Sequence, residues 1–187
     1  TIIKYIYKMA CDITRGRLEP CKESVGGLNA VYFVNYGDLT PEISSELEIT
    51  TVGTSVSLFK FDLRGTSSYS ETINSSRENG TTFYEQVLEL TLNKLTKEDH
   101  KTIKVLAAGR PHIVVEDNNG NLFMAGLEYG ADLTGGTIVT GGAMGDNSGY
   151  TLSFTGMEKS PANFLEADAN VGATLTAVGF ASPTVGA

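Results

Sequence analysis

Along most of this chain apolar and polar side chains alternate, the two-residue period of strands buried on one face. The clearest case begins at residue 67. Tyr69, Glu71 and Ile73 fall on one face, and Ser68, Ser70, Thr72 and Asn74 on the other. Glu78-Asn79-Gly80 then supplies the positive φ values that a hairpin turn needs. The return strand, residues 81–95, sets Leu88, Leu90 and Leu92 against Glu85, Val87, Glu89 and Thr91. A long hairpin with one apolar and one polar face is predicted, and its edges call for a partner.

Shorter signals surround it. Residues 30–35 (AVYFVN) read as a buried strand that stops at Gly37-Asp38. Thr40-Pro41 opens a polar stretch to residue 48, expected to be a loop with a short helical turn. Over residues 49–63 a strand is expected, with Val52, Thr54, Val56 and Leu58 facing opposite to Ser55, Ser57, Phe59 and Phe61. A second hairpin joins residues 113–116 to 122–127 around Asn119-Gly120. Within the Gly-rich residues 130–149 a short strand is expected at 137–140. The next strand sets Tyr150, Leu152 and Phe154 against Thr151 and Ser153.

One helix stands out. Thr96-x-x-Asp99 is a loose capping box, and His100, Ile103, Leu106 and Ala107 make a stripe expected to be buried. Lys101 and Lys104 lie toward the end that the helix dipole makes favourable for cations, and Gly109 and Pro111 stop it. The sum is a mainly β protein: an antiparallel β-sandwich or barrel with one packed helix and a long protruding hairpin. Residues 1–29 read as an N-terminal arm and 30–165 as the β domain. Residues 166–187 read as a C-terminal strand, around 174–180, or an arm.

Composition narrows the function. The chain has 187 residues, 41% of them hydrophobic and 19% charged, which suits one folded domain and not a disordered chain. Its formal charge of −8 argues against a protein that grips DNA through a basic face. No apolar run approaches the roughly 20 residues of a membrane helix. Cys11 and Cys21 are the only thiols and are expected to be free, with one short-loop bridge as the alternative. Residues 1–8 (TIIKYIYK) lack the apolar core of a signal peptide. They read either as leader before an initiating Met9 or as a β-forming arm that reaches a neighbouring subunit.

Catalytic patterns are missing. Asp117-Asn118-Asn119-Gly120-Asn121 departs from a calcium loop because its Gly arrives two positions early, and a hairpin turn accounts for it. The pairs Gly135-Gly136 and Gly141-Gly142 match no phosphate-binding motif. Asp146 and Glu158 have no spacing that marks them as an acid–base pair. His100 reads as a core histidine, and His112 stands at a strand start without a partner. Asn74 and Asn79 begin glycosylation-type triplets, which carry little without a secretory signal. No enzyme activity, cofactor or metal site is expected.

Three segments do carry a resemblance: YSETINSSRENGTTFYEQVLELTLNKL, LTKEDHKTIKVLAAGRPHIVVEDNNGN and GYTLSFTGMEKSPANFL. They lie in the block from residue 69 to residue 165, about half of the chain, and this block resembles the tail tube (major tail) proteins of Bacteroidetes-type phages and prophages. The resemblance implies hexameric rings that stack into a hollow tube, with DNA passing only transiently through the lumen. It also implies partners such as tape measure and terminator proteins, assembly in the bacterial cytoplasm, and a final place in the virion. The polar hairpin face (Ser68, Ser70, Thr72, Asn74, Glu85 and Glu89) is then expected to line the lumen. Arg77, Glu78 and Asn79 at the tip would meet the next ring. Leu88, Leu90 and Leu92, with Tyr69 and Ile73, would pack on the core beside Ile103 and Leu106.

Other virion components share this composition: a head–tail connector, a tail terminator or a capsid decoration protein. The inner tube of a contractile injection system is a nearer alternative. A carbohydrate-binding β-sandwich is an alternative of a different class, and would call for exposed aromatic platforms; the chain has no Trp.

Overall fold

The computed structural model describes residue 13 and residues 15–185. The expectations for residues 1–8, Met9 and Cys11 lie outside the described residues; Cys21 is exposed. The described residues build two sheets and two helices. The first strands are β1 (Leu28–Val34), β2 (Glu42–Ile43), β3 (Glu48–Thr51) and β4 (Phe59–Asp62). The long hairpin is β5 (Ser68–Ser76) and β6 (Thr81–Asn93), followed by α1 (Lys97–Ala108). Next come β7 (His112–Asp117), β8 (Leu122–Ala125), β9 (Asp132–Val139) and β10 (Gly149–Glu158). The last described elements are β11 (Asn163–Leu165), α2 (Val171–Val178) and β12 (Thr184–Val185).

Eight strands form one sheet in the order β12-β4-β1-β7-β8-β11-β3-β2, and four form the other in the order β5-β6-β10-β9. Pairing is antiparallel except at β11–β3 and β12–β4. The sheets pack face to face as a sandwich. Val31 and Phe33 of β1 and Ile113 and Val115 of β7 meet Leu88 and Leu90 of β6 and Leu152 and Phe154 of β10, with Ile103 and Leu106 of α1. On the opposite face of the large sheet, Ala30, Tyr32, Val34 and Val114 meet Leu175 and Val178 of α2. Because both faces of β1 and β7 are covered, these strands read as continuous apolar runs.

Several expectations are corrected. Residues 40–48 hold no helical turn. They form the tight β2–β3 hairpin, in which Ser44 Oγ accepts the N–H groups of Glu46 and Glu48 and Leu47 takes a positive φ of 63°. The strand expected over 49–63 is broken. Gly53 (φ 131°) and Ser55 (φ 53°) turn the chain between β3 and β4, so that Val52, Val56 and Leu58 are all buried. The Gly-rich strand is longer than residues 137–140, because β10 pairs with β9 along its whole length around a bulge between Ser153 and Phe154.

The described residues hold two helices rather than one, and residues 174–178 are helical rather than strand. Asn170 caps α2 by accepting the Ala173 N–H, and Gly179 (φ 110°) closes it. Phe180 then bridges to Val56 beneath the large sheet. Thr96 caps α1 as expected, accepting the Asp99 N–H at 3.1 Å. His100 and Ala107, however, lie on its exposed side, and only Ile103 and Leu106 are buried. The His100 ring instead edges against Tyr150, its Nδ1 2.6 Å from the tyrosine hydroxyl.

Candidate functional site

Every residue of the polar hairpin face falls on one side of the four-stranded sheet. Ser68 pairs with Glu89, Ser70 with Val87, Thr72 with Glu85 and Asn74 with Phe83. Ser68, Ser70, Thr72 and Glu89 are exposed, and Asn74 and Glu85 are half-buried. Leu88 and Leu90, on the opposite side of β6, are buried in the core, and Leu92 is half-buried against it.

The same surface continues onto strands that alternation within the hairpin could not reveal. β10 sets Ser153 beside Glu89, Thr155 beside Val87 and Met157 beside Glu85. β9 adds Thr137 opposite Thr151. The residue inserted at the β9 bulge is Thr134, whose hydroxyl donates to the Ser153 carbonyl and lies 3.1 Å from that of Thr155. The result is a broad face of hydroxyls and carboxylates, interrupted by Val87, Phe83 and Met157. It contains no Lys or Arg. The Thr151 and Ser153 alternation signalled part of it; Thr134 gave no signal, because the bulge shifts the period.

The hairpin outruns its neighbours. β10 ends opposite Tyr84, so beyond that pair β5 and β6 bond only to each other. Arg77, Glu78 and Asn79 form the exposed tip with Gly80. Ile73 does not pack on the core. It lies beyond the core's edge and is 65% exposed, and Phe83 on the opposite face is 38% exposed.

A buried polar cluster fixes the base of the hairpin. The Glu71 carboxylate accepts the Tyr69 hydroxyl at 2.5 Å, the Gln86 side-chain amide at 3.1 Å and the Ala162 N–H at 2.8 Å. Gln86 in turn accepts the Gly126 N–H at 2.8 Å. Burial, then the bond to Glu71, raises the Tyr69 hydroxyl far above its ordinary value, so it remains a donor. The visible signal was a carboxylate on the apolar face of the alternation.

The remaining candidates have structural work. His112 is buried; its Nδ1–H donates to the Gly126 carbonyl and its Nε2 accepts the Gly37 N–H. Burial lowers its affinity for a proton, so the neutral tautomer fits these partners. Asp117 accepts the N–H groups of Asn119 and Asn121 and closes the β7–β8 turn. Asn119 also clamps Val25 through both its side-chain atoms. Asp146 and Glu158 flank opposite ends of the ten-residue β10, roughly 30 Å apart along the strand, and cannot act as a pair. Among the described residues no three His, Cys, Asp or Glu side chains gather to hold a metal ion. Nor, among them, is any helix long and apolar enough to cross a membrane.

No family model matches the chain, and neither the comparison with curated proteins nor that with solved structures returns a match.

Proposed function

We propose that this chain is the subunit of a hollow phage tail tube, with the polar face of the four-stranded sheet toward the lumen. One observation carries the reading. The sheet is buried on one side, open and wet on the other, and flanked by two long edge strands, β5 and β9. Such edges in a small protein invite strand addition, and pairing β5 of one copy with β9 of the next joins the sheets into a closed barrel. A head-to-tail contact of this kind makes a ring when its rotation closes.

The chemistry of the face suits passage of a polyanion. Phosphates bind where Lys and Arg release counterions, and this face offers hydroxyls with Glu85 and Glu89 instead. DNA would slide along it with little affinity. The projecting tip, with Arg77, Glu78, Asn79 and the exposed Ile73, supplies the contact to the next ring. In the assembled virion the remaining partners would be tape measure and terminator proteins.

Negative-stain electron microscopy of the purified protein across concentration tests the reading. Hollow filaments with a regular axial repeat are expected. Isolated rings would assign the chain to a connector or terminator, and monomers at every concentration would remove the assembly reading.

A further inference from the structure

The two edges of the eight-stranded sheet are unlike, and each has what the other lacks. At one edge the β2–β3 hairpin exposes two apolar side chains, Ile43 (45%) and Leu47 (59%). Glu42, Glu46 and Glu48 stand around them, and Glu166 joins through its N–H bond to the Ile49 carbonyl. Residues 38–51 and 163–168, which build this edge, contain no Lys or Arg.

At the opposite edge a groove runs between α1 and β4. It opens as a cavity of about 600 Å³ and continues into one of about 400 Å³, the two sharing Phe59, Phe61, Glu98 and Thr102. Its apolar walls include Phe59, Val105 (66% exposed) and Val185 (58%). Lys60, Arg64 and Lys101 line it, and α1 also carries Lys97 at its first position and Lys104 one turn beyond Lys101. Three acids belong to the same edge. Asp62 is paired with Lys60 at 3.0 Å and Glu98 with Lys97 at 3.5 Å, while Asp99 sits in the first turn of α1. Five cations against three acids leave this edge positive. Arg64, Lys101 and Lys104 form no ion pair among the described residues. β12 covers only Phe59 and Lys60 of β4.

We infer that the β2–β3 hairpin of one copy seats in the α1–β4 groove of the next, with Ile43 and Leu47 as apolar anchors and the glutamates facing Arg64, Lys101 and Lys104. The occupant is a second copy of this chain because the opposite edge of the same sheet presents exposed apolar side chains among carboxylates, complementary to the groove's cations. The two surfaces differ, so the contact is heterologous and propagates head to tail. Rim charges of this kind set the rate and direction of encounter, and the buried anchors hold the contact. The inference rests on the reading of a self-assembling subunit, not on the lumen assignment.

Two variants test it. Glu46→Lys with Glu48→Lys spoils the hairpin and leaves the groove; Lys101→Glu with Lys104→Glu spoils the groove and leaves the hairpin. All four positions lie outside the buried core, and circular dichroism checks that each variant is folded. Sedimentation velocity is expected to show each alone requiring about tenfold or more higher concentration to associate. An equimolar mixture is expected to regain association near the parent's concentration, since the intact hairpin meets the intact groove and the reversed hairpin meets the oppositely reversed groove. Association of either variant alone at the parent's concentration, or a mixture that associates no better than the variants alone, overturns the inference. Electron microscopy of the parent is a separate readout. Hollow filaments with unaffected variants would sink this contact and keep the tube. Variant-sensitive association without hollow filaments would keep the contact and sink the tube.

Discussion

Glu158 ends β10 with its carboxylate out of water, accepting the N–H groups of Glu128 and Tyr129. Burial raises its carboxyl above the usual glutamate range, although those bonds and Lys159 pull the other way. The folded protein therefore holds this proton more tightly than the unfolded chain. The stability that this group contributes is complete below the ordinary glutamate pKa and is lost as pH rises through the raised value. Glu158→Gln keeps an acceptor for both N–H groups and removes the titration. Its unfolding free energy in urea should vary less with pH between about pH 4 and 8 than the parent's. An identical pH slope in the two proteins would show that Glu158 is not the group responsible. Glu71 makes the contrasting case, because three donors converge on it. Glu71→Ala leaves the Tyr69 hydroxyl, Gln86 and the Ala162 N–H without their acceptor, and should lower stability by about 2–4 kcal/mol. Glu71→Gln, which retains an oxygen there, should lose clearly less, and equal losses would point to packing instead.

At the scale of elements, the hairpin was legible because every second residue of β5 and β6 faces the same environment, and the Asn79-Gly80 turn set its register. The cap of α1 was legible for the same local reason. His100 was not, because its partner Tyr150 lies 50 residues away and draws the ring out of the helical stripe. α2 was missed because its Ala, Gly, Thr and Val content masks the helical period. Its signals were the caps, Asn170 and Gly179. The second cap does more than end a helix: a Cβ on Gly179 would lie 2.1 Å from the Gly53 carbonyl oxygen, at a φ of 110°. Gly179→Ala must therefore push apart the very turn that breaks β3 from β4, and should lower stability by about 2–4 kcal/mol in thermal or denaturant unfolding. Gly80→Ala at the hairpin tip meets open space at a φ of 63° and carries only the left-handed penalty, about 1–2 kcal/mol. Equal losses at the two sites would show that positive φ alone, and not the close approach to Gly53, accounts for the glycine at 179.

At the scale of the whole molecule, charge is sorted by surface. The cations of α1 and β4 gather at one edge of the large sheet and the glutamates of β2 and β3 at the other. The open face of the small sheet carries hydroxyls and carboxylates. In the proposed head-to-tail assembly the first two surfaces would neutralise each other and the third would face an enclosed space. Such a space would have a measurable property: it would admit small molecules and exclude large ones, whereas a surface buried in a subunit contact excludes both. Ser70 is the residue to probe, since it is exposed on the polar face, paired with Val87 across the β5–β6 hairpin. In a Ser70→Cys variant with Cys11 and Cys21 replaced by Ser, the unassembled subunit should react with both N-ethylmaleimide and a long polymer-linked maleimide. After assembly the small reagent should still react along the whole filament, while the polymer should label only the few subunits at its ends. Mass spectrometry of the two reactions separates the cases. Protection from both reagents would move Ser70 into a subunit contact. Full labelling by both would put the polar face on the outside, and the lumen assignment would have to be withdrawn.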